Sequence, residues 1–308
     1  MTDKTTLGDR MKEYEATSQS TLLRRTPIIV RVDGRAFHTF TKRFVAPQPI
    51  PPDSFDEARL TSNKIEDPSL RLGPFSEMLH QTMTYTAATL FNQLQTAVFV
   101  YTQSDEISIL LRDWDRLETQ QWFGGNLQKI VSLSSSIAAT AFNYLLNHVA
   151  KFVPCSTQEL AQFDARAYNL PKEEVTNYFL WRQQDASRNS VNMLGRFYFS
   201  QKEMHGKSIS EVQEMLWSKH QVNWDALTTW KKRGACVYQR ADWSPFMSFP
   251  RGMIDDDPPI FSQDRPFVER HLSPISNGPD GPQEGARFVD VVTGLTIEWD
   301  GLQWRPVE

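Results

Sequence analysis

Cysteine and histidine are scarce in this chain of 308 residues. The two cysteines, Cys155 and Cys236, lie far apart without metal-type spacing, which fits a reducing compartment. The six histidines form no HxxxH or comparable pair, so the sequence predicts no zinc site. The sequence also has no G-x-S-x-G or Cys/His nucleophile signature, which argues against hydrolases that depend on those motifs.

Long apolar runs are missing too. No stretch approaches the roughly 18 consecutive apolar residues that a membrane-spanning helix requires. The first residues, MTDKTTLGDRMKEYEA, are polar and charged, unlike a secretory signal. Together with the cysteine usage, these features lead us to expect a cytoplasmic protein.

The chain lacks a basic excess, with 33 Lys and Arg against 37 Asp and Glu and a net charge of −4. Nucleic-acid-binding proteins usually carry a basic surface, so this balance argues mildly against one. Two local clusters point the other way. Arg24-Arg25 is one, and Lys231-Lys232-Arg233, near Trp224 and Trp230, is the other.

A phosphate-binding P-loop is also absent. The run His205-Gly206-Lys207-Ser208 imitates its end, but Gln201 stands where the first glycine is required. Ser208 and Glu211 instead form the pattern of a capping box, which predicts that a helix starts here.

The periodicity of apolar residues predicts helices and strands in an irregular order. We predict helices over 7–26, 75–94, 127–149, 171–194 and 208–219, a strand over 28–33, a hairpin over 98–111 and short strands near the end. Strands occur singly or as hairpins between helices, which favours the α+β class. Five prolines within 46–73 predict a surface insertion. We divide the chain at 150 and 250, with a catalytic part first, a helical second half of the same unit, and a tail.

Two carboxylates are the main candidates for chemistry. Asp33 closes the predicted strand before Gly34, and Asp105 lies near the tip of the hairpin. If these strands are neighbours, both carboxylates and a backbone carbonyl form an oxygen site suited to Mg²⁺ and to phosphoryl or nucleotidyl transfer. Glu106 should point to the opposite face and is a weaker, supporting candidate. The plainer alternative is that each Asp only caps a turn.

Several basic and polar side chains are open to two interpretations. Arg35, Lys42, Arg43 and Lys129 are either triphosphate contacts or ordinary solvated charges. Arg182, Asp185, Asn189 and Asn192 share one face of a predicted helix. That face can bind RNA or phosphate, but its periodicity favours an internal network or solvation.

Six segments together resemble the tRNA-His guanylyltransferase family and its Thg1-like relatives, most closely the bacterial and phage branch. They are RVDGRAFHTF (31–40), TQSDEISILL (102–111), LQKIVSLSSSIAATAFN (127–143), FDARAYNLPKEEVTNYFLWRQQDASRNS (163–190), HGKSISEVQEML (205–216) and WKKRGACVY (230–238). The resemblance implies a polymerase-like palm, an antiparallel sheet backed by helices. It also implies addition of nucleotides in the 3′–5′ direction to the 5′ end of tRNA, with ATP and GTP as substrates.

The resemblance also assigns roles to residues. Asp33, the Gly34 carbonyl and Asp105 would hold two Mg²⁺ ions, and a homo-dimer or homo-tetramer is expected. The nucleotide site would comprise Asp33, Gly34, Arg35, Ala36, Phe37, His38, Ser104, Asp105 and Lys129. The expected RNA contacts are Arg188, Asn189, Lys231, Lys232 and Arg233.

One departure from the family pattern bears on the reaction. Where the eukaryotic members carry His-Ile-Asn-Asn, this chain has Ser187-Arg188-Asn189-Ser190 and keeps only the first Asn. This favours template-dependent repair of truncated tRNA 5′ ends over strict addition of the extra guanosine to tRNA-His. The alternatives are a palm-type nucleotide cyclase or dinucleotide synthase, and a non-catalytic RNA-binding protein.

Overall fold

A computed structural model describes residues 6–40, 74–149, 160–239 and 251–273, and the backbone of three short strands between 287 and 306. The predicted insertion at 46–73, and the candidates Lys42, Arg43 and Cys155, lie outside the described residues.

Nine helices and nine strands are assigned within the described residues, besides short 3₁₀ turns. The helices are α1 (Leu7–Ala16), α2 (Phe37–Phe40), α3 (Glu77–Gln93), α4 (Leu127–Val149), α5 (Val175–Tyr198), α6 (Gln201–Met204), α7 (Ile209–His220), α8 (Thr229–Arg233) and α9 (Arg265–Glu269). The strands are β1 (Ile28–Gly34), β2 (Ala97–Gln103), β3 (Glu106–Leu111), β4 (Phe163–Asn169), β5 (Ala235–Gln239), β6 (Gly252–Asp255), β7 (Arg287–Val289), β8 (Thr296–Trp299) and β9 (Trp304–Pro306).

The first six strands form one sheet in the order β4-β1-β3-β2-β5-β6, and every neighbouring pair is antiparallel. The last three strands form a separate small sheet in chain order. An antiparallel sheet backed by helices confirms the α+β prediction and the palm-like architecture expected from the resemblance.

Alternation along β1 sends its side chains into two cores. Ile28, Val30 and Val32 are buried with residues of α3 and α4 on one face of the sheet. Ile29 is buried on the other face, in a core that includes residues of α5 and α9. The predicted alternation over 28–33 is therefore confirmed, and β1 lies between two apolar layers.

The predicted helix over 7–26 is wrong in its second half, since α1 ends at Ala16. Beyond it, Thr21 forms an isolated bridge with Asn126, and the Leu22 N–H donates to the Gly125 carbonyl at 2.9 Å. These bonds to a distant segment replace the i→i−4 bonds that would have continued the helix.

Strands β4, β5 and β6 were not predicted. β4 is an edge strand whose Asp164 and Arg166 side chains are more than half exposed, and β6 has only four residues. The sequence of a short or half-exposed strand gives only a weak strand signal. Pairing with a neighbouring strand supplies most of the stability of such a strand. No helix among the described residues is long and apolar enough to span a membrane.

Candidate active site

The pairing of β1 with β3 brings the two candidate carboxylates to one end of the sheet. Asp33 lies opposite Glu106 in the register, so Asp105 is in the turn immediately beyond the paired residues. The Gly34 N–H donates to the Asp105 carbonyl at 3.0 Å, which fixes the two turns side by side. The condition for convergence, that the two strands are neighbours, is met.

The polar run Thr102-Gln103-Ser104 predicts a turn at those three residues, but the turn in the structure lies further along the chain. β2 continues through Thr102 and Gln103, and the two residues outside the ladder are Ser104 and Asp105. Ser104 has a φ of 52°, a left-handed conformation that costs a non-glycine residue energy. Asp105 is thus presented by the turn itself and not by the pleat of a strand.

A second left-handed residue lies beside Asp33. Ala36 has a φ of 54° and forms the bend between β1 and α2, where the Thr39 and Phe40 N–H groups donate to its carbonyl. Strained backbone in both turns is typical of functional sites, where geometry takes precedence over local preference.

The electrostatics of the pair favour a cation. Burial, and then the neighbouring Asp33 carboxylate, raise the pKa of Asp105 to about 6. Burial, followed by the Asp164 carboxylate, also raises the pKa of Asp33. A bound Mg²⁺ would relieve this repulsion, and two carboxylates with waters and phosphate oxygens are a donor set that it accepts. Among the described residues no group of three or more His, Cys, Asp or Glu side chains is arranged as a metal site. The protein ligands of a Mg²⁺ ion at this site would therefore be the two carboxylates and backbone carbonyls.

Glu106 belongs to a different network. Its carboxylate accepts two hydrogen bonds from Arg182, each of 2.7 Å, and one from the Ser108 hydroxyl at 3.2 Å. Arg182 also donates to Asp185 at 3.2 Å. Both side chains of the ion pair are nearly buried, and the pair ties the start of β3 to α5. The polar face of α5 is therefore an internal network at Arg182 and Asp185, as the periodicity favoured.

The loop after β1 has both exposed and buried side chains. Arg35 is exposed and donates to the Gln162 side chain at 2.7 Å, and His38 is also exposed. Phe37, which the resemblance places in the nucleotide site, has its ring in the core, 5.4 Å from that of Phe142. That ring also lies over Gly34, and a Cβ at Gly34 would come within 2.3 Å of it.

Lys129 lies far from the carboxylates along α4. It is exposed in the first turn of the helix, where the Leu127 N–H donates to the Ser20 carbonyl ahead of β1. Phe142, which packs near Gly34, comes thirteen residues later, roughly 20 Å along the helix axis. Lys129 thus lies at the end of α4 opposite to Phe142, whose ring contacts that of Phe37 beside Gly34.

The expected RNA contacts lie on α8 and the adjoining face of α5. The carbonyls of Lys231 and Lys232 accept hydrogen bonds from Ser190 and Ser187, at 2.6 and 3.0 Å. Helix α8 then leads through Gly234 into β5, next to the hairpin tip. A Cβ at Gly234 would lie 2.3 Å from the Thr102 carbonyl, so the approach is close.

The side chains of these expected contacts differ in exposure. Arg188 and Asn189 are exposed and both donate to Asp185. Lys231 is half-buried with its ammonium 5.2 Å from the centre of the Trp230 ring. Arg233 donates to the Thr229 hydroxyl and to the Pro258 carbonyl, each at 3.4 Å.

Sequence reasoning missed a group of charged residues on the same face as Asp33. Arg31 pairs with Arg166 across β1 and β4, and Asp33 pairs with Asp164. The alternation of β1 already put Arg31 on the face of Asp33. Arg166 and Asp164 were not recognised because β4 itself was not predicted.

Comparisons with known proteins agree with this architecture. Residues 8–57 and 70–171 match the family described as tRNAHis guanylyltransferase. The tRNA(His) guanylyltransferase of Debaryomyces hansenii is 26% identical over 247 residues, covering 76% of this chain and 80% of the relative. An uncharacterised protein of Acanthamoeba polyphaga mimivirus is 24% identical over 250 residues, covering 75% and 76%.

Solved structures extend the likeness. A bacterial tRNA(His) guanylyltransferase (Thg1)-like protein in complex with ATP is 37% identical, with a TM-score of 0.71, covering 87% of this chain and 99% of that one. A GTP complex of such a bacterial protein is 35% identical, with a TM-score of 0.63 and coverage of 86% and 98%. The Saccharomyces cerevisiae enzyme, 21% identical with a TM-score of 0.58 and coverage of 76% and 93%, supports the fold. With this identity to a nearly completely covered relative, and the same helix-backed antiparallel sheet, the chain belongs to the tRNA-His guanylyltransferase family of nucleotidyltransferases.

Proposed function

We propose that the chain is a Mg²⁺-dependent 3′–5′ nucleotidyltransferase that adds nucleotides, with GTP favoured, to the 5′ end of tRNA. The observation that carries this proposal is the convergence of Asp33 and Asp105 at the end of β1 and the tip of the β2–β3 hairpin. A pure RNA-binding protein gains nothing from two mutually repelling carboxylates facing phosphates, whereas a metal-dependent transferase requires them.

Asp33, the Gly34 carbonyl and Asp105 are the groups that would hold the two metal ions. Bound Mg²⁺ would neutralise the charge on the triphosphate and on the attacking and leaving oxygens. The chain's own contribution is positioning. The β1–β3 ladder fixes the spacing of the two carboxylates, and the backbone from Asp33 to His38 with Ser104 borders the nucleotide. The Arg182–Glu106 pair holds the start of β3 against α5.

Repair of truncated tRNA 5′ ends fits this chain better than addition restricted to tRNA-His. Ser187 and Ser190 are the first and last residues of the segment that replaces His-Ile-Asn-Asn. Their hydroxyls donate hydrogen bonds to carbonyls of α8 and so hold this helix. Only Arg188 and Asn189 of that motif remain exposed for RNA. We therefore assign RNA binding to these two residues and to Lys231, Lys232 and Arg233.

Assembly and location complete the proposal. The family resemblance supports a homo-dimer or homo-tetramer, which would repeat the basic α8 surface around one RNA. The cytoplasm is the proposed compartment, and Cys236 is a buried free thiol, as suits a reducing environment. The relatives solved with ATP and GTP support these nucleotides as substrates.

The test is incorporation of labelled GTP into a 5′-truncated tRNA transcript, with Mg²⁺ and with EDTA. We expect addition with Mg²⁺ only. Asp33→Asn and Asp105→Asn should each lower it by at least 1,000-fold, on the order of 4 kcal/mol of transition-state stabilisation. Asp115→Asn, at the other end of β3 where Asp115 pairs with Arg112, is the matched control. Full activity in either active-site variant would refute the assignment, and cyclic products from nucleotides alone would identify a cyclase instead.

A further inference from the structure

A cleft of about 260 Å³ opens on the surface between α7 and the turn that follows it. Trp217 of α7 and Trp224 of the turn line it together with polar groups from Glu214, Asn223 and Asp225. None of these five residues takes part in the carboxylate site, and nothing in the proposed reaction uses them.

The two indole rings are presented differently. Trp217 is 51% exposed, a large aromatic surface left open to solvent. Trp224 is partly buried against the apolar cluster between α5 and α7, and its indole N–H donates to the Ser190 hydroxyl at 2.9 Å. One ring is therefore free to receive a flat ligand, and the other is a rigid wall. Nucleobases of any sequence stack on such aromatic faces.

The polar lining selects the chemistry of the ligand. The Glu214 and Asp225 carboxylates are exposed and accept hydrogen bonds only. They repel phosphate and attract N–H donors. At the rim, the Lys232 ammonium lies 5.8 Å from the centre of the Trp224 ring and donates to the Asp225 carbonyl at 2.5 Å. This arrangement suits a base whose edge carries N–H groups and whose phosphate lies toward Lys232.

The cleft is joined to the catalytic end of the sheet through α8. The Ser190 hydroxyl that accepts from Trp224 donates in turn to the Lys231 carbonyl. At the other end of α8, Gly234 abuts Thr102, three residues before Asp105. An RNA held on the basic helix can therefore reach the carboxylates with one part and this cleft with another.

We propose that the cleft binds a nucleobase of the RNA substrate at a position away from the reacting 5′ end. Guanine fits best, since its N1–H and exocyclic amino group form adjacent donors for a carboxylate. The inference rests on the proposed function, because it takes RNA to be the substrate that lies along α8.

The test uses Trp217→Ala, Trp217→Phe and Glu214→Gln in the full chain. Binding of a 5′-truncated tRNA transcript is measured by fluorescence anisotropy, and the KM values for tRNA and GTP are measured in the addition assay. We expect Trp217→Ala to raise the Kd and the KM for tRNA about tenfold, with kcat and the KM for GTP unchanged. Trp217→Phe should retain most of the affinity. Glu214→Gln should reduce the preference for the RNA (GA)₄ over U₈.

Tyr85→Ala, which removes an exposed aromatic residue of α3, is the control and should change nothing. If Trp217→Ala and Glu214→Gln both bind tRNA within twofold of the unaltered chain, the inference is wrong. It is also wrong if only the KM for GTP rises, since the base would then belong to a free nucleotide. Failure of the proposed function would look different, because the unaltered chain would add no GTP while the anisotropy measurements would still report on the cleft.

Discussion

At the scale of single residues, the site depends on a glycine at a position where any larger side chain would not fit. Gly34 ends β1 between the two carboxylates, and the Phe37 ring occupies the space that its side chain would need. The glycine therefore lets the loop fold back over the strand end. Sequence reasoning named Gly34 and Phe37 as nucleotide-site residues. It did not predict that the Phe37 ring packs over Gly34, because a contact between residues three apart leaves no periodic pattern.

Gly34→Ala should damage both stability and activity. The added methyl would lie 2.3 Å from a Phe37 ring carbon, so the ring and α2 must move. We expect the free energy of unfolding to fall by about 1–3 kcal/mol and GTP addition to fall at least tenfold. Urea denaturation and the addition assay measure the two effects. Gly8→Ala in α1, where no atom lies closer than 3.8 Å, should leave GTP addition unchanged and should raise the stability slightly, by about 0.5–1 kcal/mol, because alanine is the better helix former. A similar loss of stability in the two variants would contradict the packing argument.

At the scale of elements, the hairpin tip is held by a buried ion pair and not by its own turn alone. Glu106 starts β3, Arg182 lies in the first half of α5, and seventy-six residues separate them. Two short hydrogen bonds in one plane fix the rotation of the hairpin relative to the helix. The sequence indicated a charged stripe on α5, but only the packing of α5 on the sheet shows which carboxylate it meets.

The Glu106–Arg182 pair can be tested by a double-mutant cycle. Removing one partner leaves the other charge buried, so Glu106→Gln and Arg182→Met should each cost about 3 kcal/mol of unfolding free energy. The double variant should cost clearly less than the sum. Urea unfolding gives these values. The Mg²⁺ concentration for half-maximal activity of Glu106→Gln should stay near that of the unaltered chain. A strong increase would make Glu106 a metal ligand and contradict its role as a positioning residue.

At the scale of the whole molecule, the segment after residue 250 completes the fold. The sequence offered no role for it, yet β6 is the sixth strand of the main sheet, and Phe261, Phe267 and Val268 are buried in the second core. His271 follows, with its ring stacked on Phe99 of β2 at 4.8 Å. Arg270 and Arg112 lie beside it, and Arg270 donates to its Nε2 atom at 3.3 Å.

This environment makes the stability of the chain dependent on pH. Burial, followed by the charges of Arg270 and Arg112, lowers the pKa of His271 to about 3. Between that value and the pKa of the unfolded chain near 6.5, the unfolded state binds more protons than the folded state. The free energy of unfolding therefore falls as the pH drops through this window, and the stabilisation is complete only above about pH 6.5.

We expect His271 to account for about 2 kcal/mol of destabilisation between pH 7 and pH 5. His271→Phe, which keeps an aromatic ring on Phe99, should lose that part of the pH dependence. Urea unfolding at the two pH values measures it. His205→Gln, an exposed histidine of the α6–α7 connection, is the control and should keep the full slope. An unchanged slope in His271→Phe would show that the imidazole is not the responsible group.

The sequence by itself determined what is local or strongly patterned. Periodicity gave α4 its limits, and alternation gave the two faces of β1. The capping box at Ser208 marked the start of α7, whose N–H group at Glu211 does bond the Ser208 hydroxyl. Asp33 and Asp105 were selected because each carboxylate stands at the end of an apolar strand.

Tertiary structure decided what depends on distant partners. Pairing with neighbours made strands of β4, β5 and β6, and the bridge from Thr21 to Asn126 ended α1 early. Packing assigned Glu106 to Arg182 and the Phe37 ring to the core, and it placed Lys129 at the far end of its helix. Each of these outcomes is fixed by hydrogen bonds or buried area between residues far apart in the chain, for which local propensity holds no information.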